Sequence, residues 1–166
     1  MLRLIPAPLH RGGLIVAHRL RLVWWRIVRP TLNGCRVIAF DLDGRVLLVR
    51  HSYGSGRWML PGGGFGRHED VIAAARRELK EEVHCDLAHP VVVAVVEEPL
   101  SGAINRVHLI AGRTQGVPRA DGREIIAAAY FSPDDLPVAL ATSVAAGLPQ
   151  WVTAAEAALS RPPVDR

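Results

Sequence analysis

The chain predicts one domain of the α+β class or an αβα sandwich, and three observations predict it. Short apolar, β-branched runs recur between turn residues, as strands require. One long stretch without Gly or Pro carries apolar residues at helical spacing. Helix and strand patterns mix without strict βαβ alternation, consistent with these classes. A length of 166 residues, 49% of them hydrophobic and 22% charged, suits a single folded domain with a real core.

In chain order, residues 1–34 form a basic arm, 35–160 the main domain and 161–166 a short tail. Seven bases (Arg3, Arg11, Arg19, Arg21, Arg26, Arg29, Arg36) precede the first acid, Asp41. That leaves 13 of the 20 bases against all 16 acids, so the pI of 9.8 belongs largely to the arm. A whole-surface nucleic-acid footprint is therefore not indicated. Leu14 to Val28 reads as a basic amphipathic helix, with Val16, Leu20, Val23 or Trp24, and Ile27 on one side, and Pro30 ends it. Four readings stay open for it: packing on the domain or on a second subunit of a homodimer, a membrane-surface helix with Trp24 and Trp25 at the interface, a nucleic-acid contact, or a targeting segment. No apolar run approaches the ~18 residues that span a bilayer. No serine precedes Ser52, unlike a transit peptide.

Cys35 to Asp41 reads as a strand, Asp43-Gly44 as a two-residue turn and Arg45 to Arg50 as the return strand. After a Gly- and Ser-containing loop, Trp58 to Leu60 forms a short strand into Pro61 and the glycines 62–64, where backbone can approach a ligand closely. Val91 to Glu97 and Asn105 to Gly112 are further strands, with a turn at Pro99 to Gly102. Gln115 to Gly122 is a loop and Glu124 to Phe131 a last strand. Ser132 and Pro133 read as N-cap and first residue of a helical turn, and Val138 to Ala158 as mostly helical with a break near Gly147 to Pro149. Cys35 and Cys85 show no metal-ligand spacing, which points to reduced thiols and a cytoplasmic setting.

The stretch from Glu69 to Val83 is the predicted long helix, with Val71, Ile72, Ala75, Leu79 and Val83 as its buried stripe. Its spacing places Glu78, Glu81 and Glu82 on or beside one face. Like charges so placed repel by roughly 0.2–0.5 kcal/mol per pair, and acids near a helix C-terminus also oppose its dipole. Arg76, Arg77 and Lys80 are one source of compensation, and a hard divalent ion such as Mg²⁺ or Mn²⁺ is the other. A solvated acidic face and a metal face both fit this pattern.

Residues 63–85 resemble the signature of the Nudix hydrolases, Gly-x5-Glu-x7-Arg-Glu-U-x-Glu-Glu-x-Gly-U with U aliphatic. Gly63, Glu69, Arg77, Glu78, Leu79, Glu81 and Glu82 match it; His84 stands in place of the usual Gly, and Cys85 fills the last slot. The Gly of the signature follows the helix end, where a left-handed residue is expected, so His84 is read as a stability cost.

The resemblance implies the Nudix fold, a mixed sheet between helices spanning roughly Arg36 to Trp151. It also implies divalent-metal-dependent hydrolysis of a diphosphate linkage in a nucleoside diphosphate derivative such as a nucleotide sugar, ADP-ribose or nucleoside triphosphate. By motif position Glu78 and Glu82 are the principal metal ligands, and the Gly62 carbonyl adds an oxygen. Glu81 shares the metal or serves as base, and Arg77 orients the carboxylates through a salt bridge to a structural Glu69. Glu124 is the candidate base outside the motif, with Glu97 and Glu98 its competitors. By analogy of position, substrate contacts fall to Gly63, Arg50, His51, Tyr53 and the loop Gln115 to Gly122. Pro99 matches a downstream proline associated with ADP-ribose preference too loosely to assign a substrate. The alternative from another class is a catalytically silent nucleotide-binding module, tethered to membrane or RNA by the arm; such modules usually lose motif carboxylates, and this chain keeps them.

Overall fold

The computed structural model describes residues 7–161 apart from 29 and 67. The first six residues of the arm and all but one of the predicted tail lie outside these. The element order is α1 (Ala7–Val28), β1 (Thr31–Phe40), β2 (Val46–His51), β3 (Trp58–Met59), α2 (Val71–Val83), β4 (Ala88–Leu100), β5 (Ala103–Arg113), β6 (Ile125–Phe131), α3 (Thr142–Ala145) and α4 (Leu148–Leu159).

The strands form one mixed sheet in the order β3-β2-β1-β5-β4, with β6 on β2. β1 and β5 run parallel from Thr31↔Ile104 to Phe40↔Arg113, and the other pairs are antiparallel. Strict alternation sorts the central strands onto two cores. Val37, Ala39, Leu47, Val49 and Ile110 face α2, meeting Ala74, Ala75, Leu79 and Val83. Ile38, Phe40, Val46, Leu48 and Leu109 face α4, meeting Leu148, Val152 and Ala155. The result is the expected sandwich, a sheet between two helical layers. Each fully buried Leu or Ile contributes about 1.5–3 kcal/mol.

Several local expectations change. β1 begins at Thr31 rather than Cys35, because its first residues pair with β5. The β1–β2 loop is wider than a two-residue turn: the Asp41 carboxylate accepts from the amides of Asp43 (3.0 Å) and Arg45 (2.8 Å) and closes it. The β4–β5 hairpin turns at Ser101-Gly102, so Pro99 lies within β4 opposite Ile104. Ser132 opens the expected single turn, which does not extend into a helix. Its hydroxyl does accept from the Asp134 amide at 3.3 Å, but Pro137 lacks an amide and disfavours helical backbone at Leu136. Residues 138–139 form a turn and Leu140 bridges to Trp58 instead, Trp58 donating to the Ala139 carbonyl and Ala141 donating to that of Trp58.

α2 starts two residues later than predicted, at Val71, with Asp70 as N-cap accepting from the Ala73 amide at 2.9 Å. It ends at His84, whose left-handed backbone (φ 60°, ψ 24°) lets its amide reach the Lys80 carbonyl. Both cysteines are buried and free. No helix among the described residues is long and apolar enough to cross a membrane.

β1 and β2 pair only at Phe40↔Val46 and then part. The opened edge of β1 is taken by the glycine loop: Val37 donates to the Pro61 carbonyl at 2.8 Å and Cys35 to that of Gly63 at 2.9 Å. Gly62 can lie there only without a side chain, since its φ is 139° and a Cβ would fall 2.2 Å from the Cys35 carbonyl oxygen.

His84→Gly should stabilise the fold by about 0.5–1 kcal/mol, the relief of left-handed strain less the added chain entropy of glycine. His84→Ala, which keeps the strain and loses the ring contact to the Arg119 carbonyl (3.2 Å), should not. Urea midpoints of the two variants check this.

Candidate active site

α2 and the glycine loop assemble the acidic residues. Glu82 is 6% exposed. Its carboxylate accepts from the Gly62 amide at 3.1 Å and meets His51 Nε2 at 3.2 Å. The Glu78 carboxylate packs where a Cβ on Gly63 would stand, only 2.7 Å from its Oε1. The signature glycine therefore makes room for the acid as much as for any ligand. Burial pushes the carboxyl groups of both Glu78 and Glu82 above the ordinary range. Arg77 opposes the shift at Glu78, and His51 and the Gly62 amide oppose it at Glu82, while neighbouring carboxylates add to it.

Arg77 stands at the centre of the exposed half. It donates to Glu69 at 2.9 Å, Glu78 at 2.8 Å and Glu81 at 3.2 Å. Glu69 lies outside α2, where it also accepts from the Gly66 amide at 3.3 Å. Hydrogen bonding from Arg77, then from Gly66, holds the Glu69 carboxyl below its usual range. The expected Arg77–Glu69 bridge is therefore present. Glu81 is the most open of the motif acids, its side chain 63% exposed.

Of the residues outside the motif, Glu124 comes to the site and Glu97 does not. Glu124, just before β6, is near enough for its charge to raise the Glu82 carboxyl further. Tyr53 donates its hydroxyl to Glu124, and its ring rests between those of His51 and His18 at 5.1 Å from each. Burial, then the bond to Glu124, pushes the Tyr53 phenol well up, so it stays a neutral donor. Glu97 pairs with Arg106 on the exposed β4–β5 hairpin at 3.0 Å. Glu98 pairs with Arg36 on the cleft wall, with a second contact at 2.8 Å. Arg50 donates to the Gly56 carbonyl at 2.9 Å and stacks over Trp58, so it holds the 52–57 loop.

In front of the glycine loop lies a cleft of about 680 Å³, lined by Gly62 to Phe65, Asn33, Asn105, and Arg21 and Trp25 of α1. Gly62 and Gly63 thus form a wall shared by the cleft and the acids. Among the described residues no three His, Cys, Asp or Glu side chains form a closed metal cage. The donor set that is present, Glu78, Glu81, Glu82 and the loop carbonyls, is all oxygen and carries uncompensated negative charge, which fits a hard divalent cation.

Sequence reasoning missed three features. Asp70 as cap was legible from its place before the helical run. His51 was legible as a partner of α2, since it is in phase with Leu47 and Val49 on β2. The approach of His18, Arg21 and Trp25 carried no signal, because it depends on how α1 packs.

A model of the NUDIX domain matches residues 31–155. Among solved structures, the MutT NUDIX hydrolase from Burkholderia pseudomallei is similar at 29% identity and TM-score 0.65, covering 72% of this chain and 97% of its own. The E. coli ORF135 protein is similar at 24% identity and TM-score 0.62, covering 83% and 97%. An ADP-ribose pyrophosphatase from Streptococcus suis is similar at 23% identity and TM-score 0.58, covering 81% and 96%. No protein of curated function matches. With Glu78, Glu81 and Glu82 gathered on α2 behind the glycine loop and the family model covering most of the chain, this protein belongs to the Nudix family and is a hydrolase of that class.

Proposed function

We propose that the chain is a divalent-cation-dependent pyrophosphohydrolase that cleaves the diphosphate linkage of a nucleoside diphosphate derivative in the cytoplasm. The observation that carries this reading is the buried Glu82 of the motif helix, held by the Gly62 amide and His51, with Glu124, just before β6, joined to the same cluster through Tyr53, whose ring lies against His51. Mg²⁺ or Mn²⁺ would neutralise diphosphate charge and lower the pKa of bound water.

Glu78 and Glu82 would hold the cation, with Glu81 at the open edge. The Pro61 and Gly63 carbonyls are engaged by β1, which leaves the Gly62 carbonyl as the loop oxygen for the same task. His51 and the Gly62 amide fix the Glu82 carboxylate, so both act as positioning groups. Arg77 holds Glu78 and Glu81 in register with Glu69. Glu124 would accept the proton of the attacking water at its carboxylate, and Tyr53 orients that carboxylate. Gly63, and the loop held by Arg50, would border the substrate, whose base or sugar needs the stacking and polar groups of the cleft. Two buried free cysteines support a reducing compartment. The substrate within the class is decided by release of phosphate or monophosphate across nucleoside triphosphates, ADP-ribose, nucleotide sugars and dinucleoside polyphosphates with each cation. Silence across that panel, with cation binding intact by calorimetry, would favour a binding module.

Glu82→Gln should keep the circular dichroism spectrum and lose at least about a hundredfold in kcat; comparable activity at saturating Mg²⁺ would overturn the site assignment. The same variant should alter stability with a defined sign. The folded-state carboxyl of Glu82 is raised, so its contribution to stability is present at acid pH and is lost as pH rises through that raised value. The cation-free parent should therefore gain stability relative to Glu82→Gln on acidification, and Mg²⁺ should raise the melting temperature of the parent more than that of the variant.

Glu124→Gln should lower kcat about a hundredfold or more with little change in KM. Tyr53→Phe should lower it about tenfold. A Glu124→Gln rate within about twofold of the parent would remove Glu124 from the mechanism.

A further inference from the structure

α1 meets the domain with one face and leaves the other uncovered. Its inner face, with Leu14, His18, Leu22 and Trp25 partly covered, packs toward Tyr53 and the cleft. At its far end Gly102 lets the helix backbone come close, since a Cβ there would be 3.2 Å from Arg26 Cα. The outer face carries Val16, Leu20, Val23, Trp24 and Ile27 in one stripe of helical period, between 54% and 75% exposed. This is a contiguous apolar surface of the kind that marks an interaction site.

The charges around the stripe identify its occupant. Arg19 and Arg26, seven residues apart, border it on one side, and Arg21 stands on the other, over the Trp25 ring at 5.9 Å. No Asp or Glu occurs in α1 or in β1. A second copy docking stripe to stripe would bring arginines toward arginines with no acid from either helix between them. Nucleic acid needs a basic face, whereas the centre of this one is apolar. An anionic bilayer satisfies both parts: the apolar stripe enters the acyl boundary, Trp24 lies at headgroup depth, and the arginines reach lipid phosphates.

We propose that the outer face of α1 docks the protein on an anionic membrane surface, in the plane of the interface and without crossing it. The inference concerns the face of α1 opposite the one packed toward Tyr53, and it stands independently of the hydrolytic reading.

The test is sedimentation of the full chain with sucrose-loaded vesicles of phosphatidylcholine, with and without phosphatidylglycerol. Association with the anionic vesicles should be at least about tenfold stronger and should weaken with salt. The variant Leu20→Asp/Trp24→Asp should abolish it, and Arg19→Glu/Arg26→Glu should remove the preference for phosphatidylglycerol. Both change exposed residues, so circular dichroism and vesicle-free hydrolysis should stay as in the parent. Absence of vesicle binding, or equal binding with and without phosphatidylglycerol, overturns the proposal. So does a dimer in light scattering that Leu20→Asp/Trp24→Asp dissolves, which gives the face to a second copy. Binding of an RNA homopolymer that depends on the arginines and not on the apolar pair also overturns it.

Discussion

β1 cannot pair with β2 along its length, and the site is built on that failure. Where the two strands part below Phe40, the amides of Cys35 and Val37 would be left facing an apolar interior, at a cost of about 1–3 kcal/mol for each unmade bond. The loop carrying Pro61 and Gly63 supplies the missing acceptors. Fixing those two carbonyls fixes the residue between them, and the Gly62 amide is then directed at Glu82. The same docking leaves Gly63 flush against Glu78. One repaired sheet edge therefore sets the position of two carboxylates that belong to a different element.

The two faces of the sheet have divided tasks. On the α4 side the packing is apolar, with Ile38, Leu48 and Leu109 against Leu148 and Val152. The α2 side combines an equally dry stripe with the polar cluster at its edge, so α2 anchors through Leu79 and Val83 while presenting Glu78 and Glu82. Rigid anchorage of this kind allows like charges to be held together. Arg77, His51 and a backbone amide offset part of the repulsion, and the remainder favours a cation.

Much of this was readable in the chain because it rests on local periodicity. The motif helix and the clustering of its acids follow from spacing, the Arg77–Glu69 bridge from the resemblance to the signature, and the left-handed residue at His84 from where the helix must stop. Local rules failed where a distant segment decided the outcome. Thr31 to Asn33 are strand because β5 is there to receive them. Leu140 leaves the predicted helix to bridge Trp58, which exchanges backbone hydrogen bonds with Ala139 and Ala141. His51 reaches Glu82 because its phase along β2, shared with Leu47 and Val49, turns it toward α2. For α1, a helix packed on the domain was among the open readings, but which of its residues reach the cleft depends on tertiary packing that the chain does not reveal locally.

That helix has a consequence for how the protein can diversify. The family model begins at residue 31, yet Arg21 and Trp25 form part of the cleft that a substrate would enter. Residues appended ahead of a domain are free of the packing that constrains its core strands. Selection can therefore reshape one wall of the binding cleft by altering or exchanging a single leading segment, leaving the acids and the sheet that holds them untouched.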